Sequence, residues 1–195
     1  CNGYTFKKIK IETFEGGKNA APIEGATTTG YYLKKMIDET VSLDPIKPVK
    51  KPHHYPGYRY AEILLNYAEA MNEWKGPDYT DENHPISARE ALNKVRNAAK
   101  MKDVVAADQI EFREKVRNER RVELAFEDHR FWDIRRWKQG GLVQDIYGVK
   151  ILNNNGVLSY EKVKVQERVW NDKMYLYPIP QKEIFVNSNL APNNP

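Results

Sequence analysis

The clearest periodicity in the chain lies at residues 59–74, RYAEILLNYAEAMNEW. Apolar residues recur there at i, i+3, i+4, i+7, i+8 and i+11, the spacing of one face of an α-helix. These positions are Tyr60, Ile63, Leu64, Tyr67, Ala68 and Met71. Gly76 and Pro77 follow and predict that the helix ends there, because neither residue continues a helix readily.

A second helix is predicted after Pro85. Ser87 and Glu90 stand three residues apart, the capping-box pattern in which each side chain bonds to the other residue's amide. The predicted apolar face is built mainly from small residues, namely Ala88, Ala91, Leu92, Val95, Ala98 and Ala99. Two successive amphipathic helices of this kind predict a tetratricopeptide-like helical hairpin. We interpret the acidic residues of the connection, at 78–82, as a solvated turn, because they lack the ligand register of a calcium loop.

The third predicted helix covers 110–126, followed by a break near Asp128 and a shorter helical turn into Trp137. Asp108 and Glu111 form another capping-box pattern at its start. With about 100° per residue on a helical wheel, the apolar residues gather on one arc, which predicts a buried face. The apolar members of this face are Phe112, Val116, Val122 and Phe126.

Carboxylates share this predicted buried face, because Glu119, Glu123 and Glu127 fall inside or beside the apolar arc. An unpaired buried carboxylate is costly, so each glutamate needs a cation, and Arg120 is the nearest candidate within the helix. Two roles are open for this cluster. It serves acid–base or metal chemistry, or it forms a buried ion network that fixes helix packing. We favour a structural ion network of Glu119, Arg120, Glu123 and Glu127, since neighbouring arginines favour neutralisation and no His or Cys joins at metal-ligand spacing. We therefore assign no catalytic residue and no metal ligand.

The remaining stretches predict strands and loops. Residues 146–152 and 157–165 predict two short strands joined by Asn-Asn-Asn-Gly, a hairpin turn signal. Residues 4–14 alternate apolar side chains with Lys and Thr, which predicts a strand or an extended edge. Residues 42–58 contain four prolines and predict an extended surface connector.

The predicted fold is mainly α, with tetratricopeptide-like helical hairpins, irregular loops and a small β-hairpin appendage. The pattern divides the chain into three segments. An extended and looped segment covers 1–58, a helical core covers 59–137, and the hairpin with a proline-rich closing stretch covers 138–195.

Three stretches resemble one known family in the family's own order. Residues 118–137, NERRVELAFEDHRFWDIRRW, closely resemble the signature helix of the SusD/RagB family. The two helices predicted before it resemble the family's helix pair. The chain closes with Pro-Ile-Pro at 178–180, Glu-Ile at 183–184 and Asn-x-x-Leu at 187–190, as family members do. Ser188 departs from the commonest closing form, as do Ala191 and Pro192.

The resemblance implies a surface nutrient-binding lipoprotein of a Bacteroidetes outer membrane, with a SusD-like α/α fold. Such a protein binds an oligosaccharide, or in some members a peptide, without enzymatic activity and delivers it to a SusC-like TonB-dependent transporter. It meets the membrane only through a lipid anchor on the full-length chain. Cys1 is either that lipidated cysteine or a fragment boundary. We favour the boundary, because the residues that follow resemble the middle of a longer family member.

Glycan binding would rest on aromatic side chains. The family's ligand-contacting aromatic residues lie largely in segments that precede the portion matched here, and they vary with the ligand, so none is carried over. Four aromatic residues of this chain lie at predicted helix ends or in loops and are the candidates: Trp74, Tyr79, Tyr55 and Tyr58. Trp132 and Trp137 are expected in the core.

Composition and charge narrow the other possibilities. The net charge is only +4, and the basic and acidic residues are interleaved, so we expect no nucleic-acid partner. A single cysteine leaves no thiolate cluster for zinc within these residues. The sequence contains no nucleophile elbow, phosphate-binding loop or dinucleotide fingerprint, and we expect no cofactor.

Two alternative functions stay open. A helical-repeat scaffold that binds another protein would present a smooth apolar concave surface instead of an aromatic-lined groove. A glycoside hydrolase would need two carboxyl groups about 5–10 Å apart across an open cleft. Glu119 and Glu123 lie one helical turn apart and satisfy that spacing, but we expect the core to cover them.

Overall fold

In this computed structural model the described residues are 11–42 and 45–191. They are rich in helix and contain one two-stranded antiparallel sheet, so the predicted mainly α fold with a small β-hairpin is confirmed. Within these residues no helix has the length and apolar character that crossing a membrane requires. The main elements are α1 Tyr60–Lys75, α2 Ala88–Ala98, α3 Gln109–Glu123, α4 His129–Arg136, β1 Asp145–Asn154, β2 Val157–Glu167 and α5 Gln181–Val186.

The described residues form two compact units, one within the range 38–133 and the other within the ranges 11–37 and 134–191. The predicted division into segments 1–58, 59–137 and 138–195 stays a prediction. Cys1 and most of the predicted strand at 4–14 lie outside the described residues. Residues 11–14 of that stretch are described and form no strand.

Helix α1 lies where the periodicity predicts it, and Gly76 ends it with φ 93°, a backbone angle that glycine adopts without steric cost. The predicted buried face is only partly right, because Tyr60 is 70% and Ile63 is 51% exposed. Leu65 and Asn72, which lie off the predicted face, are buried instead. The reason is that both α2 and α3 pack against α1, so its buried side is wide and shifted towards α3.

Helix α2 begins at the predicted capping box. The Glu90 amide donates to Ser87 Oγ at 3.1 Å, and the Ser87 amide donates to Glu90 Oε2 at 2.7 Å. Ala98 and Ala99, at the end of its predicted apolar face, are exposed. The remaining apolar residues of α2 join the core between α1, α2 and α3. This core contains Leu64, Leu65, Ala68, Met71, Ala88, Ala91, Leu92, Val95, Val104, Phe112, Val116 and Leu124.

Helix α3 starts as predicted but ends at Glu123, before the predicted end at Phe126. Asp108 accepts a hydrogen bond from the Glu111 amide at 2.8 Å. The Glu111 carboxylate accepts from the Ala107 amide at 2.9 Å, so only one half of the predicted capping box is present. Asp108 alone therefore caps the helix with its side chain.

Two burial predictions near the end of α3 are wrong. Val122 and Phe126 are exposed, although the wheel places them on the buried face. Phe126 has φ 63°, so the chain has already left the helix and the wheel no longer applies to it. The packed arc of α3 turns towards Arg120, away from Val122. Trp132, predicted in the core, is also exposed.

The predicted β-hairpin is present, with strands slightly longer than predicted. Asn155 and Gly156 form its turn with φ 52° and 92°, the two left-handed residues of a type I′ turn. Gly148 of β1 allows Thr29 to approach closely, because an added Cβ would lie 2.9 Å from the Thr29 carbonyl oxygen. That carbonyl accepts a hydrogen bond from the Val149 amide at 2.9 Å. The loop at 29–30 thus lies against the edge of the hairpin.

A buried ion pair joins α3 to α4. Arg120 Nε donates to Asp133 Oδ2 at 2.7 Å, and both side chains are buried. Arg120 Nη1 also donates to Asn66 Oδ1 on α1 at 2.6 Å. The guanidinium thus joins three helices.

We expect Asp133→Ala to lower the free energy of unfolding by about 3 kcal/mol, because it leaves the buried guanidinium of Arg120 without its carboxylate. Urea denaturation measures the change. Asp78→Ala is the control, since Asp78 forms an exposed ion pair with Arg89 whose loss should cost less than about 1 kcal/mol. Equal losses for the two variants would contradict a stabilising role for the buried pair.

Candidate functional site

A cluster of three rings lies at the C-terminal end of α1 and on the loop that follows. Trp74 is 56% exposed and meets Tyr79 edge to face, with ring centroids 5.7 Å apart. His84 packs against the same tryptophan, with centroids 5.4 Å apart. We call Trp74, Tyr79 and His84 the aromatic platform. Trp74 and Tyr79 are candidates from the sequence, whereas His84 is not, because it lies ten residues after Trp74 and joins it only through the folded loop.

Asp81 fixes the loop side of the platform. Tyr79 Oη donates to Asp81 Oδ2 at 2.9 Å, and His84 Nδ1 lies 2.8 Å from Asp81 Oδ1. The amides of Asn83 and His84 donate to the same carboxylate. Burial tends to raise the pKa of Asp81, but hydrogen bonds from Tyr79 and His84 outweigh it and hold the pKa below its usual range. Asp81 therefore orders the loop as a carboxylate.

Two ion pairs hold the platform to the helices. Arg89 donates to both carboxylate oxygens of Asp78, at 2.6 and 2.8 Å. Arg113 donates to both carboxylate oxygens of Glu73, each at 2.6 Å. These hydrogen bonds lower the pKa of Asp78 and of Glu73. Glu73, Asp78 and Asp81 thus have partners within the protein. Within the described residues no group of three His, Cys, Asp or Glu side chains is placed to hold a metal ion.

The platform combines ring faces with polar groups. The Lys75 ammonium lies 5.0 Å from the Trp74 ring centroid and 5.6 Å from that of Tyr79. Aromatic faces beside hydrogen-bonding groups are the usual combination in sites for small polar ligands. The platform therefore has the chemistry to contact a sugar ring on its apolar side and its hydroxyl groups at the edge.

The other two aromatic candidates lie at the opposite end of α1. Tyr58 is 82% exposed and precedes the helix, whereas Trp74 lies on its last turn. The helix has 16 residues and is therefore about 24 Å long. Tyr55 Oη donates to Asp128 Oδ2 at 3.0 Å, and this hydrogen bond raises the pKa of Tyr55. The structure does not bring the four candidates together.

The predicted ion network obtains its cations from other parts of the unit. Arg59, just before α1, donates to Glu127 at 2.7 and 2.8 Å and to Glu123 Oε1 at 2.9 Å. Buried Glu119 accepts from Arg96 of α2. Arg120, the candidate partner within the helix, pairs with Asp133 instead. A wheel compares positions on one helix only and cannot identify partners on other elements.

The chain matches the SusD family model over residues 6–195. It is 33% identical over 150 residues to SusD-like protein P2 of Formosa agariphila, a match that covers 73% of this chain and 26% of that protein. SusD-like protein P25 of the same organism is 36% identical over 93 residues, covering 46% of this chain and 16% of that protein. The chain therefore spans about a quarter or less of these relatives.

Two crystal structures from Bacteroides fragilis resemble the chain. A SusD-like protein aligns with a TM-score of 0.56 and 38% identity, covering 69% of this chain and 24% of that one. A SusD-like carbohydrate binding protein aligns with a TM-score of 0.60 and 28% identity, covering 85% of this chain and 34% of that one. The fold of most of the chain is therefore shared with solved proteins.

We expect the protein to lose stability as the pH falls below about 4.3, the pKa of an unperturbed glutamic acid. Arg113 lowers the pKa of Glu73 in the folded state, so the unfolded state binds protons more readily at acid pH. The contribution is complete above the unfolded pKa and is lost as the pH falls through the folded one. Glu73→Gln should reduce the acid dependence of the urea midpoint, whereas Glu82→Gln, in the exposed loop, should leave it unchanged. An identical acid dependence in the Glu73 variant would rule out this contribution.

Proposed function

Because the chain belongs to the SusD family, we propose that it is part of a non-enzymatic cell-surface protein that captures a glycan or another nutrient. In this proposal the full-length protein is anchored to the outer membrane by lipid and passes its ligand to a SusC-like TonB-dependent transporter. Support comes from the family match and from the solved SusD-like carbohydrate binding protein that shares the fold. An oligosaccharide is the ligand that we favour, and a peptide is the alternative.

The observation that carries the binding proposal is the aromatic platform. We propose that a sugar ring stacks on the exposed face of Trp74 while Tyr79 borders it. Asp81 holds the loop before any ligand arrives, since it already accepts bonds from Tyr79 and two loop amides. A site that is ordered in advance loses less conformational entropy on binding. The Lys75 ammonium lies near both rings and would bind a hydroxyl group of the sugar.

We also propose that α1 and α2 form a tetratricopeptide-like hairpin within the SusD-type fold. They are consecutive, pack against each other and bury Ala68, Ala88 and Ala91 between them and α3. In this arrangement the α1–α2 loop lies at the tip of the hairpin. The platform on this loop is then in a suitable position to meet ligand.

The glycoside hydrolase alternative loses support from the carboxylates themselves. Glu119 is buried and pairs with Arg96, and Glu123 pairs with Arg59. A catalytic pair needs one carboxyl group with a raised pKa and both groups open to the substrate. Arg96 and Arg59 already contact these carboxylates, which works against the second requirement. We therefore propose that neither glutamate is catalytic.

We expect Trp74→Ala and Tyr79→Ala each to weaken oligosaccharide binding by at least about tenfold, which corresponds to about 1.4 kcal/mol. The reason is that each substitution removes ring surface from the platform. A panel of neutral oligosaccharides first identifies a ligand for the chain, and isothermal titration calorimetry then measures its affinity for each variant.

Tyr58→Ala is the matched control, because Tyr58 is exposed but lies before α1 and makes no ring contact in the part of the chain that is described. Melting temperatures of all three variants check that the fold is kept. Unchanged affinity in both platform variants would remove the binding site from this position. Failure of the whole panel to bind the folded protein would overturn the glycan proposal itself.

A further inference from the structure

Two arginines at the junction of α3 and α4 have no carboxylate partner within residues 11–42 and 45–191. Arg121 lies on the last turn of α3, and its guanidinium donates to the side-chain oxygen of Asn118 at 2.9 Å. Arg130 lies on the first turn of α4, and its side chain makes no hydrogen bond and no ion pair in the described part of the chain. We call these two residues the Arg121–Arg130 site.

The two guanidinium groups are close enough to repel each other. Arg130 is half-buried, and this burial lowers the pKa of its guanidinium. The charge of Arg121 lowers the same pKa further, whereas Asp133 acts in the opposite direction. Arg130 also lies at the positive end of the α4 dipole, in a first turn that contains no acidic residue. Because arginine stays protonated at neutral pH, only an anion can relieve this repulsion.

The nearby carboxylates are bound to other groups. Asp133 accepts from Arg120 Nε at 2.7 Å. Glu127 accepts from Arg59 Nε, also at 2.7 Å, and Asp128 accepts from a tyrosine hydroxyl at 3.0 Å. Half-buried polar groups normally have a hydrogen-bond partner. The described residues therefore do not supply the anion that Arg130 lacks.

The other arginines of α3 show the usual arrangement. Arg113 donates to Glu73, and Arg117 donates to Glu114 at 3.1 Å. Arg120 forms the buried pair described above. Arg121 is the exception on this helix within the described residues.

Exposed aromatic surface lies on the same turn of α4 as Arg130. Phe131 is 41% and Trp132 is 57% exposed, and their rings meet edge to face with centroids 5.1 Å apart. Guanidinium groups bind carboxylates and other oxyanions through two parallel N–H donors. Ring surface beside such donors is the combination that recognises a sugar carrying a charged group.

We propose that the Arg121–Arg130 site binds the oxyanion group of an acidic oligosaccharide, which is either the carboxylate of a uronic acid or a sulfate ester. One such group accepts from both guanidinium groups and removes their repulsion, and the positive end of α4 favours the same charge. Arg113, which ties α3 to Glu73 near the aromatic platform, lies eight residues before Arg121, about 12 Å along the helix. The site is therefore separate from the platform. It presupposes the glycan capture proposed above and adds that the glycan is acidic.

Matched pairs of oligosaccharides test the proposal on the full-length gene product. Uronic acid oligosaccharides are compared with their methyl esters, and sulfated oligosaccharides with their desulfated forms. Isothermal titration calorimetry measures each affinity. We expect a charged form in one of the two series to bind at least about tenfold more tightly than its uncharged counterpart, because charge-assisted hydrogen bonds are the stronger ones. The series that shows this preference identifies the oxyanion, and the preference should weaken as the salt concentration rises.

Substitutions locate the preference. Arg121→Gln and Arg130→Gln should each weaken binding of the charged form at least about tenfold and leave the affinity for the uncharged form unchanged. Arg130→Lys, which keeps the charge, should retain part of the affinity. Lys102→Gln is the matched control, because it removes one exposed positive charge elsewhere. The melting temperature of Arg130→Gln should not fall, since the change removes a repulsion.

Three outcomes would overturn the proposal. One is a preference for charge that survives in both glutamine variants. Another is a lower melting temperature with equal loss of charged and uncharged ligands, which would mean a structural role for the arginines. The third is the absence of any preference for charge in both series. Binding of uncharged oligosaccharides in that last case would leave glycan capture standing and remove only this site.

Discussion

Pairing between guanidinium and carboxylate groups is the constraint on which the helical unit depends. The packed side of α3 carries Glu119 and Arg120, both buried, beside apolar Phe112 and Val116. Burying a single unpaired charge costs several kcal/mol, so this side can pack only where each charge meets its partner. Arg96 on α2 and Asp133 on α4 provide those partners. The apolar core drives the helices together, and the charges determine their register.

The same constraint gives the two ends of α1 different surfaces. At its start, Arg59 pairs with Glu123, the last residue of α3, and with Glu127 just after it, and an apolar groove beside these residues remains open. At its end, Glu73 and Arg113 tie the helix to α3, and the rings of the platform lie beyond this pair. These arginine pairs hold both ends of α1, and exposed aromatic side chains lie beside them, Tyr60 at the start of the helix and Trp74 at its end. Exposed ring surface of this kind is what stacking against a ligand requires.

Local signals predict the elements of this fold well. Helix ends and hairpin turns depend on residues that are neighbours in sequence, so the sequence shows them directly. Examples are the helix boundaries near Gly76 and Ser87 and the hairpin turn at Asn155–Gly156. The exposure of Tyr60 depends on how α2 and α3 pack around α1. The periodicity of a single helix carries no information about its neighbours. For the same reason, His84 joins Trp74 only through the folded loop. Partners of Arg120 and Glu119 are likewise set by tertiary packing.

The pairing of the carboxylates also indicates which part of the surface is available to a ligand. A catalytic side chain needs a proton that it can donate or accept, or an open position from which it can bind a metal. Glu119, Glu73 and Asp78 each accept from an arginine, so their charge already stabilises the fold. Trp74, by contrast, is half exposed, although burying that surface would stabilise the protein. Surface left uncovered beside a loop that Asp81 has already ordered is therefore the better place to look for binding.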